Sequence, residues 1–165
     1  MSNEFLEQIP KRYIADEIGE EYMKWEPGDI IFIKAPTGSG KSYFILHIFL
    51  KWVVQNGVRL LYLVNRRVLQ EQLQEELDKD VYAEMFNYFR KPIDLRQHIQ
   101  IRTYQNLESE IKRDIISTAQ MLSPYNYVVC DECHYFYSDS NFNTNTELSF
   151  DCIRYEFDSK VQIYM

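Results

Sequence analysis

The chain has 165 residues, enough for one domain with a substantial hydrophobic core. Its 45% hydrophobic and 15% aromatic content excludes a disordered or low-complexity protein. With 18 basic against 25 acidic residues the net charge is −7, which argues against a free-standing polyanion binder. A nucleic-acid enzyme whose basic surface lies partly on another domain stays open. The acidic start, MSNEFLEQIP, lacks the basic opening and apolar core of a signal peptide. No stretch approaches the ~20 apolar residues of a membrane span, and three cysteines do not make a disulfide framework. These features predict a reduced, cytoplasmic protein with no membrane partner.

Short β-rich runs alternate with longer helical patterns, the signature of a parallel sheet covered by helices. The whole chain, 1–165, reads as one domain with residues 1–27 as a lead-in. The aromatics within Ile9–Tyr13 and Tyr22–Trp25 are expected in the core in preference to stacking on a base. Pro27-Gly28-Asp29 makes a turn, and Ile30–Lys34 is a buried strand. Ser42–Gln55 is apolar nearly all round, which predicts a buried helix ended by Asn56-Gly57. Val58–Val64 is the second strand, after which Leu69, Leu73 and Leu77 share one helical face. Within residues 78–97 the pattern yields a short helix around Val81–Phe89. Ile99–Thr103 is a weaker third strand. Leu107, Ile111, Ile115, Ala119 and Leu122 line one face of a single helix stopped at Ser123-Pro124. Tyr127–Cys130 is the fourth strand. Thr144 and Glu147 have capping-box spacing and open a helix to about Phe157. Val161–Tyr164 is the last strand, and an apolar run ending at Met165 implies a piece of a longer protein.

Two motifs carry chemistry. Residues 35–42 read APTGSGKS and match G-x-x-x-x-G-K-[ST] except that Ala35 replaces the first Gly. Pro36, Thr37, Gly38, Ser39, Gly40, Lys41 and Ser42 would wrap the phosphates of a nucleotide. Gly38 and Gly40 let the backbone curl so that N–H groups point inward, and the following helix N-terminus adds partial positive charge. Lys41 can reach the β and γ phosphates, and the Ser42 hydroxyl can bind Mg²⁺. Asp131-Glu132 follow the strand YVVC, so Asp131 is expected at the C-terminal edge of the sheet, where ligands of open α/β sheets bind. There it can hold Mg²⁺ opposite Ser42, while Glu132 orients or deprotonates the attacking water.

Together APTGSGKS and DECH resemble motifs I and II of superfamily-two helicases, the DEAD/DEAH-box group. LVNRRVLQEQ, from Leu63 to Gln72, is similar to that family's motif Ia, and IRTYQNL, from Ile101 to Leu107, to motif Ib. Order and spacing agree from Gly28 onward. The resemblance implies the first RecA-like domain of a P-loop NTPase: a three-layer α/β sandwich, mostly parallel, with helices on both faces. It implies ATP and Mg²⁺ as ligands, Glu132 and Lys41 as catalytic groups, and DNA or RNA single strands as partners of the complete protein. Nucleic-acid contacts are expected at Asn65, Arg66 and Arg67 and at Thr103, Tyr104 and Gln105. His134 would couple nucleotide state to motif III and to a second RecA-like domain, both placed beyond Met165 together with the arginine fingers. No adenine-reading motif precedes the loop. The family also places a strand between the loop strand and the acidic strand. Val161–Tyr164 is the only candidate, which predicts that the last residues lie mid-sheet. The isolated chain is expected to bind ATP and hydrolyse it poorly.

Other readings carry less. Cys130 to His134 fits C-x-x-C-H, the haem attachment pattern, and with Cys152 could surround zinc. Without a signal peptide, and with Cys130 directed into the core by strand alternation, neither haem nor zinc is expected. A P-loop kinase or switch NTPase is the alternative enzyme class. It has no need of a Glu after the metal-binding Asp, and no guanine-reading motif is present. A degenerate nucleotide-binding module conflicts with intact Lys41, Ser42, Asp131 and Glu132. Arg66-Arg67 also reads as solvated charge beside a Glu-rich helix, although Arg at a helix N-terminus opposes its dipole.

Overall fold

The computed structural model describes residues 13–134 and 144–165, the side chains of 144–147 excepted. Five strands form one sheet: β1 (Ile30–Phe32), β2 (Leu60–Val64), β3 (Ile99–Thr103), β4 (Tyr127–Cys130) and β5 (Val161–Tyr164). All neighbours are parallel, in the order β1-β5-β4-β2-β3. The last strand therefore lies between the loop strand and the acidic strand, with Ile30 opposite Gln162 and Cys130 opposite Tyr164, as the sequence predicts.

Alternation along these strands makes two cores. Leu60, Tyr62 and Val64 point to one face with Val129, Val161 and Ile163. Leu61 and Leu63 point to the other with Val128, Cys130 and Tyr164. Parallel strands buried on both faces need helices on both. The first face is covered by α2, a helical rod running through Lys41–Tyr43, Phe44–Phe49 and Leu50–Gln55, and by α3, running through Arg67–Glu76, Leu77–Val81 and Tyr82–Phe89. The second is covered by α4 (Tyr104–Arg113), α5 (Ile115–Leu122) and α6 (Thr144–Glu156). The result is the expected RecA-like α/β sandwich. No helix among the described residues is long and apolar enough to cross a membrane.

Described residues of the lead-in join the core. Ile14, in α1 (Ile14–Ile18), and Tyr22 are buried against the loop helix, with the Tyr22 ring 5.8 Å from Phe44 and 6.2 Å from Trp52. Residues 9–12 lie outside the described residues, whereas Tyr13 is exposed.

Elements deviate from expectation where a local interaction overrides periodicity. Strands β1 and β2 are shorter than their apolar runs, because Ile33 and Lys34 lead into the loop and Val58 and Arg59 precede the pairing register. The single helix expected from Leu107 to Leu122 is two. At Asp114 the backbone is extended (φ −164°, ψ 102°), and its carboxylate accepts from the N–H groups of Ile116 and Ser117 at 3.0 and 3.1 Å. An Asp that caps a new helix stops the old one. Ile115 consequently leaves the buried face and is 59% exposed. Residues 78–89 continue α3 without a break, through a π-wound turn at Leu77–Val81. A matching π-wound stretch, Phe44–Phe49, lies in α2. His47 joins the two rods, its ring nitrogens 2.8 Å from Glu76 and 2.6 Å from Glu84, and Glu84 also pairs with Lys51. The capping-box side chains of Thr144 and Glu147 lie outside the described residues.

Candidate nucleotide site

Because every strand runs the same way, the segments that follow them share one edge. Residues 35–42 follow β1, 65–67 follow β2, 103–105 follow β3 and 131–134 follow β4. Along that edge the structure makes two hollows.

The first, about 570 Å³, is lined by the whole loop from Ala35 to Ser42, and by Asp131, Glu132, His134 and Met165. Gly38 and Gly40 adopt φ +79° and +82°, a conformation that side chains strain to reach. The loop is anchored by Ile14, whose N–H donates to the Ser39 carbonyl at 2.9 Å. Lys41 folds back over the loop and donates to the carbonyl oxygens of Ala35 at 2.8 Å and Pro36 at 3.4 Å. Among the described residues the buried Ser39 hydroxyl has no partner, and an anion in the loop would supply one.

Opposite the loop, Asp131 is buried, and burial pushes its carboxyl above the ordinary carboxylate value. The Tyr62 hydroxyl, donating at 3.0 Å, and the Glu132 N–H, donating at 2.9 Å, partly offset that. A nearby cation favours the charged form of a carboxylate that burial disfavours. Ser42 and Asp131 supply the hard oxygen donors that suit Mg²⁺, so the residues present fit that ion. Among the described residues no group of three His, Cys, Asp or Glu side chains is arranged to hold a metal by itself. Glu132 sits at φ 50°, an uncommon conformation for a residue with a Cβ. Its N–H bond to the preceding carboxylate fixes that turn, and the pair of acidic residues diverges toward the hollow. His134 is exposed on the same wall. Cys130 points into the second core, where burial pushes its thiol far up, and Cys133 and Cys152 are also free.

The second hollow, about 660 Å³, brings together Asn65, Arg67, Thr103 and Gln105 of the two weaker motifs. Gln105 donates to the Asn65 side chain at 3.3 Å across the ends of β2 and β3. Arg67 pairs with Glu71 at 2.9 Å on the surface, and Arg66 is exposed outside this hollow. Thr103 is buried, and its hydroxyl caps α4 by accepting from the Asn106 N–H at 3.2 Å. Tyr104, expected as a nucleic-acid contact, is fully buried in the second core. Its hydroxyl donates to the Asp131 carbonyl oxygen at 2.7 Å, which makes it internal scaffolding of the acidic motif. The first residue of a helix turns its side chain by the helical period, and here that period directs it under the sheet.

Sequence reasoning missed Tyr62. Within VRLLYLV it reads as one more core residue, and only the pairing of β2 with β4 brings its hydroxyl to Asp131.

Topology and site define the class, an α/β domain of RecA-like fold with a glycine loop and an acidic pair on the C-terminal edge of its sheet. Type III restriction enzyme res subunits form the family whose profile matches residues 4–165, and the chain belongs to that family. Among solved structures it is similar to the crystal structure of the DUF1998 helicase MrfA, with a TM-score of 0.58 at 20% identity. The match covers 92% of this chain and 28% of that one, so the present chain spans little more than a quarter of that helicase's length. At such identity the likeness is one of fold. No curated protein matches the chain in sequence.

Proposed function

We propose that residues 1–165 form one ATP-binding domain of a nucleic-acid-dependent ATPase of helicase type, acting on DNA or RNA in the cytoplasm. The observation that carries this reading is the convergence of the glycine loop and the Asp131–Glu132 pair on one hollow, with Ser42 and Asp131 flanking a shared hydroxyl. The loop from Pro36 to Ser42 would surround the phosphates, with N–H groups from Thr37 onward, and Lys41 would exchange its two carbonyl partners for phosphate oxygens. Ser42 and Asp131 would hold Mg²⁺, which when bound neutralises charge on the β and γ phosphates. Glu132 would orient water toward the γ phosphate, and His134 would relay the state of the site to a second RecA-like domain. Asn65, Arg66, Arg67 and Gln105, with the Thr103 main chain, would meet the sugar–phosphate backbone, since groups of this kind position a strand without reading its bases. Membership in a restriction-enzyme family and likeness to a helicase support this assignment over a kinase or switch NTPase.

Calorimetry with ATP and Mg²⁺ tests it. Wild type should bind, and Glu132→Gln should bind as well while releasing no phosphate in the complete, nucleic-acid-stimulated enzyme. Failure of the wild-type chain to bind ATP ends the proposal.

A further inference from the structure

Tyr62 lies on β2, a strand that carries neither the glycine loop nor the acidic pair. Its ring is fully buried in the core beneath α2. Its hydroxyl donates to Asp131 Oδ2 at 3.0 Å and lies 3.4 Å from Ser42 Oγ. One buried oxygen therefore stands between the two side chains to which the ATP reading assigns Mg²⁺. Phenylalanine would fill the same volume, so apolar packing does not account for the hydroxyl. A buried hydroxyl must find partners, and these are its partners.

The rest of Asp131 is fixed by other groups. Its N–H donates to the Leu63 carbonyl at 2.9 Å, its carbonyl accepts from Tyr104 at 2.7 Å, and Oδ1 accepts from the Glu132 N–H at 2.9 Å. Oδ2 is left to Tyr62. Each carboxylate oxygen thus accepts one hydrogen bond and keeps a lone pair for a cation, and Oδ2 is the one whose hydroxyl partner also approaches Ser42.

We propose that Tyr62 is a positioning residue for the divalent cation: its hydroxyl orients Asp131 Oδ2 toward Ser42, so that the two oxygen donors face each other across the mouth of the glycine loop. The inference rests on the ATP reading and adds a residue from a strand to which that reading assigns no part in the nucleotide site. A hydrogen bond that orients a metal ligand typically changes metal affinity about 10–100-fold when removed.

The test compares ATP affinity with and without Mg²⁺, by calorimetry, in the whole chain. In Tyr62→Phe the metal-free affinity should match wild type, while the increment added by Mg²⁺ falls about tenfold or more. The ring is retained, and a cooperative thermal melt confirms that the core is intact. Tyr125→Phe removes a buried hydroxyl bound to Gln100, away from the site, and should leave the Mg²⁺ increment unchanged. In an Asp131→Asn background, Tyr62→Phe should add no further loss, because its effect passes through that carboxylate. An unchanged increment in Tyr62→Phe overturns the inference, as does an equal loss in Tyr125→Phe or an additive loss with Asp131→Asn. Those outcomes leave the ATP reading standing. No ATP binding by wild type overturns that reading and this inference with it.

Discussion

Lys41 donates two hydrogen bonds to the loop that carries it, to the carbonyls of Ala35 and Pro36. A phosphate that captures the ammonium must offer more than two neutral acceptors do, and a charge-assisted bond typically contributes ~1.5–3 kcal/mol. Lys41→Ala should therefore weaken Mg-ATP binding roughly ten- to a hundredfold, measured by calorimetry; equal affinities would sink the phosphate-loop assignment. Residues of this kind are legible in sequence because the chemistry requires the residue type itself. Tyr62 and Tyr104 are not. Tyr62 sits in an apolar strand and Tyr104 in a polar run expected to meet nucleic acid, and the role of each hydroxyl follows from which strand or motif it ends up beside. The two tyrosines hold Asp131 from side chain and main chain, and neither relation exists until the sheet is assembled.

At the scale of elements, periodicity read the strands, with Leu73 and Leu77 buried as expected, but β1, expected as a buried strand, leaves Ile30 and Phe32 exposed at the sheet edge. It failed at Asp114, where apolar spacing runs on through a residue whose carboxylate starts a second helix. Asp114→Ala should cost about 1 kcal/mol, a fall of roughly 2–4 °C in melting temperature for a chain of this size. A fused, longer helix with no loss of stability would contradict the capping role. The bridge between α2 and α3 gives a second prediction. Burial raises the Glu84 carboxyl, but hydrogen bonds from Lys51 and His47 outweigh it and the net displacement is downward. A carboxylate lowered in the folded state stabilises above its ordinary value of 4.5 and loses that contribution as pH falls through its folded value. Glu84→Gln should thus melt earlier at pH 7, with the gap closing in acid. Solvent reaches about a third of this side chain, which limits the effect to less than about 1 kcal/mol. A gap that persists at pH 3 would show that packing, not charge, is responsible.

The molecule as a whole presents its nucleotide hollow with Lys41 as the one ammonium or guanidinium among the described residues that line it. An arginine finger typically contributes ~10³–10⁵ in rate, and among the described residues that line the hollow there is no arginine. Residues 1–165 should bind ATP and turn it over negligibly. The second hollow pairs Arg67 with Glu71 on a chain of net charge −7, so single strands should bind weakly at physiological salt. Filter binding and phosphate-release assays check both. Vigorous turnover without nucleic acid would favour a P-loop class whose site is complete in one domain.

The place of β5 also governs when the domain can exist. Strand β1, from which the glycine loop springs, touches the sheet only through β5, and Ile30 waits for Gln162 at nearly the other end of the chain. During synthesis β2, β3 and β4 can pair as soon as they emerge, while β1 stays without its sheet neighbour until residues 161–164 have emerged as well. Late, long-range closure of this kind slows folding and leaves apolar segments uncovered meanwhile. Chains ending at residue 160 should accordingly show rapid protease cleavage through the glycine loop and no cooperative melt, whereas adding residues 161–165 restores protection and a cooperative melt. The nucleotide site, which springs from the first strand of this sheet, is thus among the last parts of the sheet to form.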